Sequence, residues 1–115
     1  MIDIEIVEKP ITVAKLKEIA QKTFGDMVKA VCDIEKGIMA VGGELHADEE
    51  AELVGKGSEE ADLWGFNIYV GEPRESWIDF DSMINLRPAQ GNLSNLVQDP
   101  EIQKKIVELV NKLIV

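Results

Sequence analysis

The stretch "MVKAVCDIEKGIMAV", residues 27–41, sets the expectation for the fold. Two runs rich in apolar and β-branched residues meet at the turn 35–37, a pattern that is typical of a β-hairpin. Every second residue from Val28 to Ile34 is apolar, so these residues share one face of a strand. We therefore expect the hairpin to lie in a sheet that has one face turned towards an apolar core.

Strand and helix patterns flank this hairpin. The segment "IDIEIV", residues 2–7, alternates apolar and polar residues and predicts a strand. The segment "PITVAKLKEIAQKTFGD" has helical apolar spacing, with Thr12 as its N-cap and Gly25 at its end. After the hairpin we expect a short second helix with Asp48 as its N-cap.

The C-terminal half predicts a second hairpin and a final helix. The segments "LWGFNIYV", residues 63–70, and "WIDFDSMINLR", residues 77–87, are typical of strands and are joined by the turn "GEPRES". The polar loop "PAQGNLSNLVQ", residues 88–98, then leads to a helix that Asp99 caps and Pro100 opens.

The predicted order of elements, β-α-β-β-α-β-β-α, indicates a single domain over residues 1–115. We expect an α+β two-layer sandwich, in which two long helices pack on one face of a mostly antiparallel sheet. A chain of this length buries enough surface to fold without disulfides or a structural metal. Cys32 is the only cysteine and is expected to be a small buried apolar side chain.

The second face of the sheet is expected to be more polar and to gather the residues suited to chemistry. On the last predicted strand Asp79 and Asp81 alternate with apolar residues, and the expected register pairs Asn67 with Asp81. At the end of the first hairpin Glu44 and His46 join the same face. The sequence therefore predicts that these side chains share one side of one sheet.

Glu44, His46, Asp79 and Asp81 form the first candidate site, with Asn67 and Asp48 near them. An imidazole with carboxylates is a common ligand set for a divalent metal, which would then be the cofactor. A carboxylate beside a histidine also makes a general-base pair, so His46 and Asp81 are candidate catalytic residues. The alternative is a solvated or interface face, because "ELHADEE" matches no zinc motif and acids are typical of a helix start.

The loop after the last predicted strand forms the second candidate site. Arg87, Gln90, Asn92 and Ser94 place hydrogen-bond donors before a helix, which suits a phosphate or carboxylate ligand. Arg87 is also a candidate catalytic residue, since it would hold an anionic substrate. The alternative is a surface loop whose polar side chains satisfy its own backbone, with Arg87 paired to a carboxylate of the first site.

The two tryptophans have different expected roles. Trp64 lies on the apolar face of its strand and is expected to pack in the core. Trp77 lies at the mouth of a turn, where it is either an exposed interface anchor or a cover for a neighbouring strand.

The formal net charge of −10 bears on the partners. Phosphate backbones and anionic membranes attract Lys and Arg, of which the chain has 12, so we expect neither nucleic acid nor a membrane as a partner. A basic protein partner would suit the charge. The acidic N-terminus is unlike a signal peptide, and no apolar run approaches the ~18 residues of a membrane span, so we expect a cytoplasmic protein.

Four segments carry a resemblance to a known family. They are "FGDMVKAVCDIEKGIMAVGGELHADEE", "DLWGFNIY", "IDFDSMINLRPAQGN" and "DPEIQKKIVELVNKLI". Over nearly its whole length the chain resembles a family of small prokaryotic domains of unknown function. The resemblance implies no activity and supplies no catalytic residues, so the function has to be argued from the residues themselves.

These features favour a non-enzymatic interaction or binding module that self-associates as a homodimer. The reason is that a sheet with both long helices on one face leaves its other face and an edge to be covered. The alternative is a metal-binding protein or a metal-assisted hydrolase that uses Glu44, His46, Asp79 and Asp81. The sequence decides neither whether the chain is an enzyme nor how the strands are ordered.

Overall fold

The computed structural model describes residues 3–115 and has the predicted order of elements. Ile2, the first residue of the predicted first strand, lies outside the described residues. The strands are β1 (Glu5–Val7), β2 (Met27–Asp33), β3 (Ile38–Val41), β4 (Leu63–Tyr69) and β5 (Ile78–Asp79). The helices are α1 (Val13–Gln21), α2 (His46–Gly55) and α3 (Pro100–Leu113). Short 3-10 turns lie at Glu60–Asp62, Arg74–Ser76, Met83–Asn85 and Pro88–Gln90.

The strands form one five-stranded antiparallel sheet in the order β1-β3-β2-β4-β5. The hairpin of β2 and β3 lies at its centre, with Cys32 opposite Met39. Asp33 holds the hairpin turn, because its Oδ1 accepts hydrogen bonds from the amides of Glu35 and Lys36 at 2.9 and 2.8 Å. Gly37 completes the turn with a φ of +70°, a conformation that favours glycine.

Both long helices pack on the first face of the sheet, as predicted. Thr12 and Asp99 cap α1 and α3 through side-chain oxygens, which accept from the amides of Lys15 and Glu101. The helices bury a stripe of apolar residues against the sheet: Leu16, Ile19 and Ala20 from α1, and Ile106, Leu109, Val110 and Leu113 from α3. The α+β sandwich is therefore confirmed.

Helix α2 covers part of the second face, which we expected to be either solvated or an interface with a partner. Helix α2 packs against it, and Leu53 forms a buried cluster with Val31, Ala40 and Leu63. The cause lies in α2 itself, whose buried residues His46, Glu49 and Leu53 recur at helical spacing. Two of these three residues are polar, so the sequence of α2 does not show the apolar stripe that predicts a packed helix.

The last predicted strand, residues 77–87, is wrong in its extent and register. The structure pairs Asn67 with Asp79, two residues from the expected partner Asp81, and β5 ends at Asp79. Beyond it the Asn85 carboxamide replaces the backbone ladder: it accepts from the Gly65 amide and donates to the Gly65 carbonyl, both at 2.8 Å. A side chain satisfies the edge of β4 there, so the chain is free to turn.

The core takes in both tryptophans and the cysteine. Trp64 is buried as predicted, and Trp77 is also buried, with its indole nitrogen donating to the Glu72 carbonyl at 2.9 Å. Trp77 therefore covers the sheet and is not an exposed anchor.

Burial raises the pKa of the Cys32 thiol to about 12, which keeps it unreactive. Within residues 3–115, none of the helices has the length and apolar character needed to cross a membrane.

Candidate functional site

A cavity of about 340 Å³ opens on the second face of the sheet, at the N-terminus of α2. Polar residues in its wall come from three strands or their ends and from the helix: Lys29, His46, Asn67 and Asp81. Leu45, Met83 and Ile84 supply an apolar part of the wall. The cavity therefore brings together His46 and Asp81, which the sequence placed in one site.

His46 is the first residue of α2 and is 8 % exposed. Its Nε2 lies 2.8 Å from the Phe66 carbonyl, which only accepts, so the ring proton belongs on Nε2. Nδ1 then carries a lone pair. Burial lowers the pKa of His46 most, and Lys29 lowers it further. The Phe66 carbonyl, Asp81 and the adjacent Asn67 side chain raise it, and the net effect is a lowering. The imidazole is therefore neutral at physiological pH and offers Nδ1 as an acceptor or a base.

Asn67 is 7 % exposed and has an unpaired oxygen. Its Nδ2 donates to the Asp79 carboxylate at 3.2 Å and to the Asp81 carbonyl at 3.1 Å, which fixes the orientation of the carboxamide. Oδ1 is buried and has no hydrogen-bond partner within the described part of the chain. Such an atom costs roughly 1–3 kcal/mol of stability unless a partner reaches it.

The N-terminus of α2 has no side-chain cap. The sequence predicted Asp48 as N-cap, but the cap position is taken by Leu45, whose side chain makes no capping hydrogen bond. The amides of His46 and Ala47 find no acceptor among residues 3–115, whereas those of Asp48 and Glu49 bond to the Leu45 carbonyl. Two free N–H groups at the positive end of a helix thus lie in cavity-lining residues.

The four predicted metal ligands are only partly brought together. His46 and Asp81 line the cavity, but Glu44 is an exposed residue outside its wall, and Asp79 is engaged by the Asn67 carboxamide. Across residues 3–115, no three His, Cys, Asp or Glu side chains lie close enough together to hold a metal ion. A divalent metal at this site therefore stays a prediction.

The loop that was predicted to bind an anion uses its polar groups internally. The Asn92 carboxamide is buried and donates to the carbonyls of Asn85, Ser94 and Leu96. Ser94 Oγ accepts from the Leu96 amide, and Gln90 donates to the Ala61 carbonyl. These bonds tie the loop together and to the 3-10 turn before β4, so ligand binding by Arg87, Gln90, Asn92 and Ser94 stays a prediction.

Arg87 pairs with a residue that the sequence did not suggest. Its Nη2 lies 3.1 Å from Glu50 Oε2, and its guanidinium lies 5.1 Å from the centre of the Trp64 ring. Burial raises the pKa of Glu50, and the nearby Arg87 charge opposes that rise. The expected pairing with a carboxylate of the first site was therefore wrong.

Glu49 is the polar residue that sequence reasoning missed. It is fully buried, and its Oε2 accepts from the Gly43 amide at 3.0 Å. Burial raises its pKa to about 9, so the carboxyl is protonated at neutral pH. The acids of "ELHADEE" are typical of a helix start, but the spacing of Glu49, three from His46 and four from Leu53, was the available signal for its burial.

Comparison with known families supplies the classification. The model of the family DUF5674, described as "Protein of unknown function", matches residues 5–113. Comparison with curated proteins and with solved structures gave no match. The expected resemblance is confirmed over nearly the whole chain, and the protein belongs to the DUF5674 family.

Proposed function

We propose that this domain is a binding module whose cavity at the N-terminus of α2 takes a small molecule. The observation that carries the proposal is a cavity wall in which Lys29, His46 and Asp81 lie beside apolar side chains. Concave sites that combine an apolar lining with a few polar groups are the usual binding sites of small molecules.

The size and chemistry of the cavity support a small ligand. Its volume of about 340 Å³ falls in the range of known small-molecule sites. Apolar side chains stand beside a few convergent polar groups, which is the usual composition of such a site. His46 has a fixed ring orientation, and its Nδ1 is a positioned acceptor beside the Asn67 side chain.

A fragment titration followed by NMR tests the proposal. His46 is the only histidine, so its imidazole resonances report on the cavity without ambiguity. We expect at least one fragment to shift them saturably. An Ala47→Trp variant places a bulky side chain at an exposed cavity-lining position and should abolish these shifts.

The matched control is Ala51→Trp, which makes the same change one turn further along α2, at an exposed position outside this cavity. It should leave the shifts unchanged. If a broad fragment set moves no His46 resonance, or if Ala47→Trp and Ala51→Trp behave alike, the proposal is wrong.

Self-association as a homodimer is a second candidate, and exposed apolar side chains favour it. Met83 is 83 % exposed and Leu93 is 69 % exposed, and Leu45, Leu86 and Leu96 are also exposed. Leu45 and Met83 belong to the cavity wall, so a second copy seated there would cover them. Sedimentation velocity should then show a dimer that Met83→Glu dissociates and Val107→Glu, an exposed change on α3, does not. A monomer at every micromolar concentration would contradict this candidate.

The metal-assisted hydrolase has less support. His46 and Asp81 would have to recruit a further ligand, since no group of three possible ligands occurs in residues 3–115. The His46 resonances also test metal binding, because a paramagnetic divalent ion bound at Nδ1 would broaden them.

A further inference from the structure

We infer that the ligand is a small zwitterion, an α-amino acid with an apolar side chain; this inference rests on the proposed function. The cavity wall offers a place for a carboxylate, a place for an ammonium group and an apolar wall for the body of the molecule. No single-charge ligand matches all three features.

The N-terminus of α2 and Lys29 receive the carboxylate. The amides of His46 and Ala47 are free, and Leu45 at the cap position leaves them so. The helix has 10 residues, so its positive end attracts an anion. Lys29 is the one cationic side chain among the lining residues and adds a full charge at this end.

Asp81 and His46 receive the ammonium group. Asp81 is an exposed carboxylate in the cavity wall. His46 Nδ1 is a second acceptor, since the ring proton is on Nε2. An ammonium group has three N–H donors and no acceptor, which suits a carboxylate and an imidazole nitrogen.

Leu45, Met83 and Ile84 receive the side chain. They line the same cavity as the polar groups, which favours an aliphatic amino acid over a highly polar one. We therefore choose leucine as the probe.

The experiment compares leucine with two analogues that each lack one charge. Isoamylamine is leucine without its carboxylate, and isocaproate is leucine without its ammonium group. The dissociation constant of each is measured on the full chain through the His46 resonances. We expect leucine to bind at least about tenfold more tightly than either analogue, which corresponds to one further charge-assisted contact.

Two variants assign the charges to their residues. In Asp81→Asn, the affinity for leucine should fall towards that for isocaproate, while the affinity for isocaproate should not change. In Lys29→Met, which keeps the aliphatic stem, the affinity for leucine should fall towards that for isoamylamine, while the affinity for isoamylamine should not change. The controls are Asp26→Asn, an exposed carboxylate outside the cavity wall, and Lys104→Met, an exposed lysine on α3; neither should change the affinity for leucine.

The outcomes separate this inference from the proposed function. If fragments bind in an Ala47→Trp-sensitive manner but leucine binds no better than its analogues, the zwitterion is wrong and the binding module stands. If leucine binds and the two charge variants behave like their controls, the assignment of its two charged groups is wrong. If nothing binds, both fail.

Discussion

Glu49 is a fully buried carboxyl group on helix α2. The carboxyl is sealed between α2 and the end of β3, where Gly43 leaves room: a Cβ there would lie 3.0 Å from Glu49 Cγ. Its pKa of about 9 means that folding takes up a proton at neutral pH. The fold therefore depends on a neutral glutamic acid.

This gives a pH dependence with a definite sign. Between the ordinary pKa of 4.5 and the folded value of about 9, only the folded state holds the proton. The contribution of Glu49 to stability is thus complete below pH 4.5 and is lost as the pH rises towards 9, by about 1.4 kcal/mol per pH unit. Glu49→Gln, which stays neutral, should be more stable than the parent at pH 8 and should lose this slope.

Urea unfolding at several pH values measures the difference. Glu52→Gln, an exposed change on the same helix, is the control and should keep the slope of the parent. If the free energy of unfolding had the same pH slope in the parent and in Glu49→Gln, Glu49 would be ionised in the folded protein and the prediction would be wrong.

Asn85 carries a second residue-scale prediction. Its carboxamide satisfies both backbone groups of Gly65 in the buried edge of β4. Asn85→Ala leaves two buried groups unpaired, so it should lower the free energy of unfolding by roughly 3 kcal/mol. Chemical denaturation gives the value, with the exposed Asn111→Ala as control. A loss below about 1 kcal/mol would mean that water replaces the carboxamide.

At the scale of elements, the sequence predicted what periodicity and capping encode. Helices α1 and α3 follow from an apolar stripe with Thr12 and Asp99 as caps, and the central hairpin follows from its turn. The last strand was not predictable, because Asn85 ends it through a contact with Gly65, 20 residues away in sequence. Nor was the covering role of α2, because His46 and Glu49 occupy its buried stripe.

The candidate site was predictable to the same extent. Strand alternation brought His46, Asn67 and Asp81 to one side of the sheet, where the structure places them around one cavity. It also brought Glu44 there, which was wrong because the chain leaves β3 at Val41 and Glu44 lies in the loop before α2. The free amides of α2 could not be foreseen, since the sequence suggested Asp48 as the cap.

Helix α2 supplies the prediction at this scale. If its N-terminus is left open for a ligand, Leu45→Ser should cap it, stabilising the free protein by about 1 kcal/mol. Leu45 is mostly exposed, so little packing is lost. Ligand affinity should fall at the same time, because the new hydroxyl competes for the amides and the cavity loses part of its apolar wall.

Thermal unfolding and the leucine titration together check this trade-off. Glu44→Ser, an exposed change one residue earlier, is the control and should alter neither quantity. A Leu45→Ser variant that is no more stable than the parent would indicate that the helix end is already satisfied.

At the scale of the whole molecule, the net charge of −10 gives a homodimer and a complex with a basic protein opposite dependences on salt. Two copies of this chain repel each other, so a homodimer should tighten as salt screens the charges. A complex with a basic protein should instead weaken with salt. Sedimentation of the pure protein at low and high ionic strength tests the first case: a dimer that dissociates on adding salt would contradict a contact through the exposed leucines and Met83.

The measurement that tests the central claim most directly is an amide NMR spectrum of the full chain with and without a saturating small ligand. A cavity at the N-terminus of α2 predicts that the backbone amides of His46 and Ala47 and the Asn67 side-chain amide shift together, with one dissociation constant. Shifts confined to other parts of the fold, or no shifts with any fragment, would show that this cavity is not the binding site.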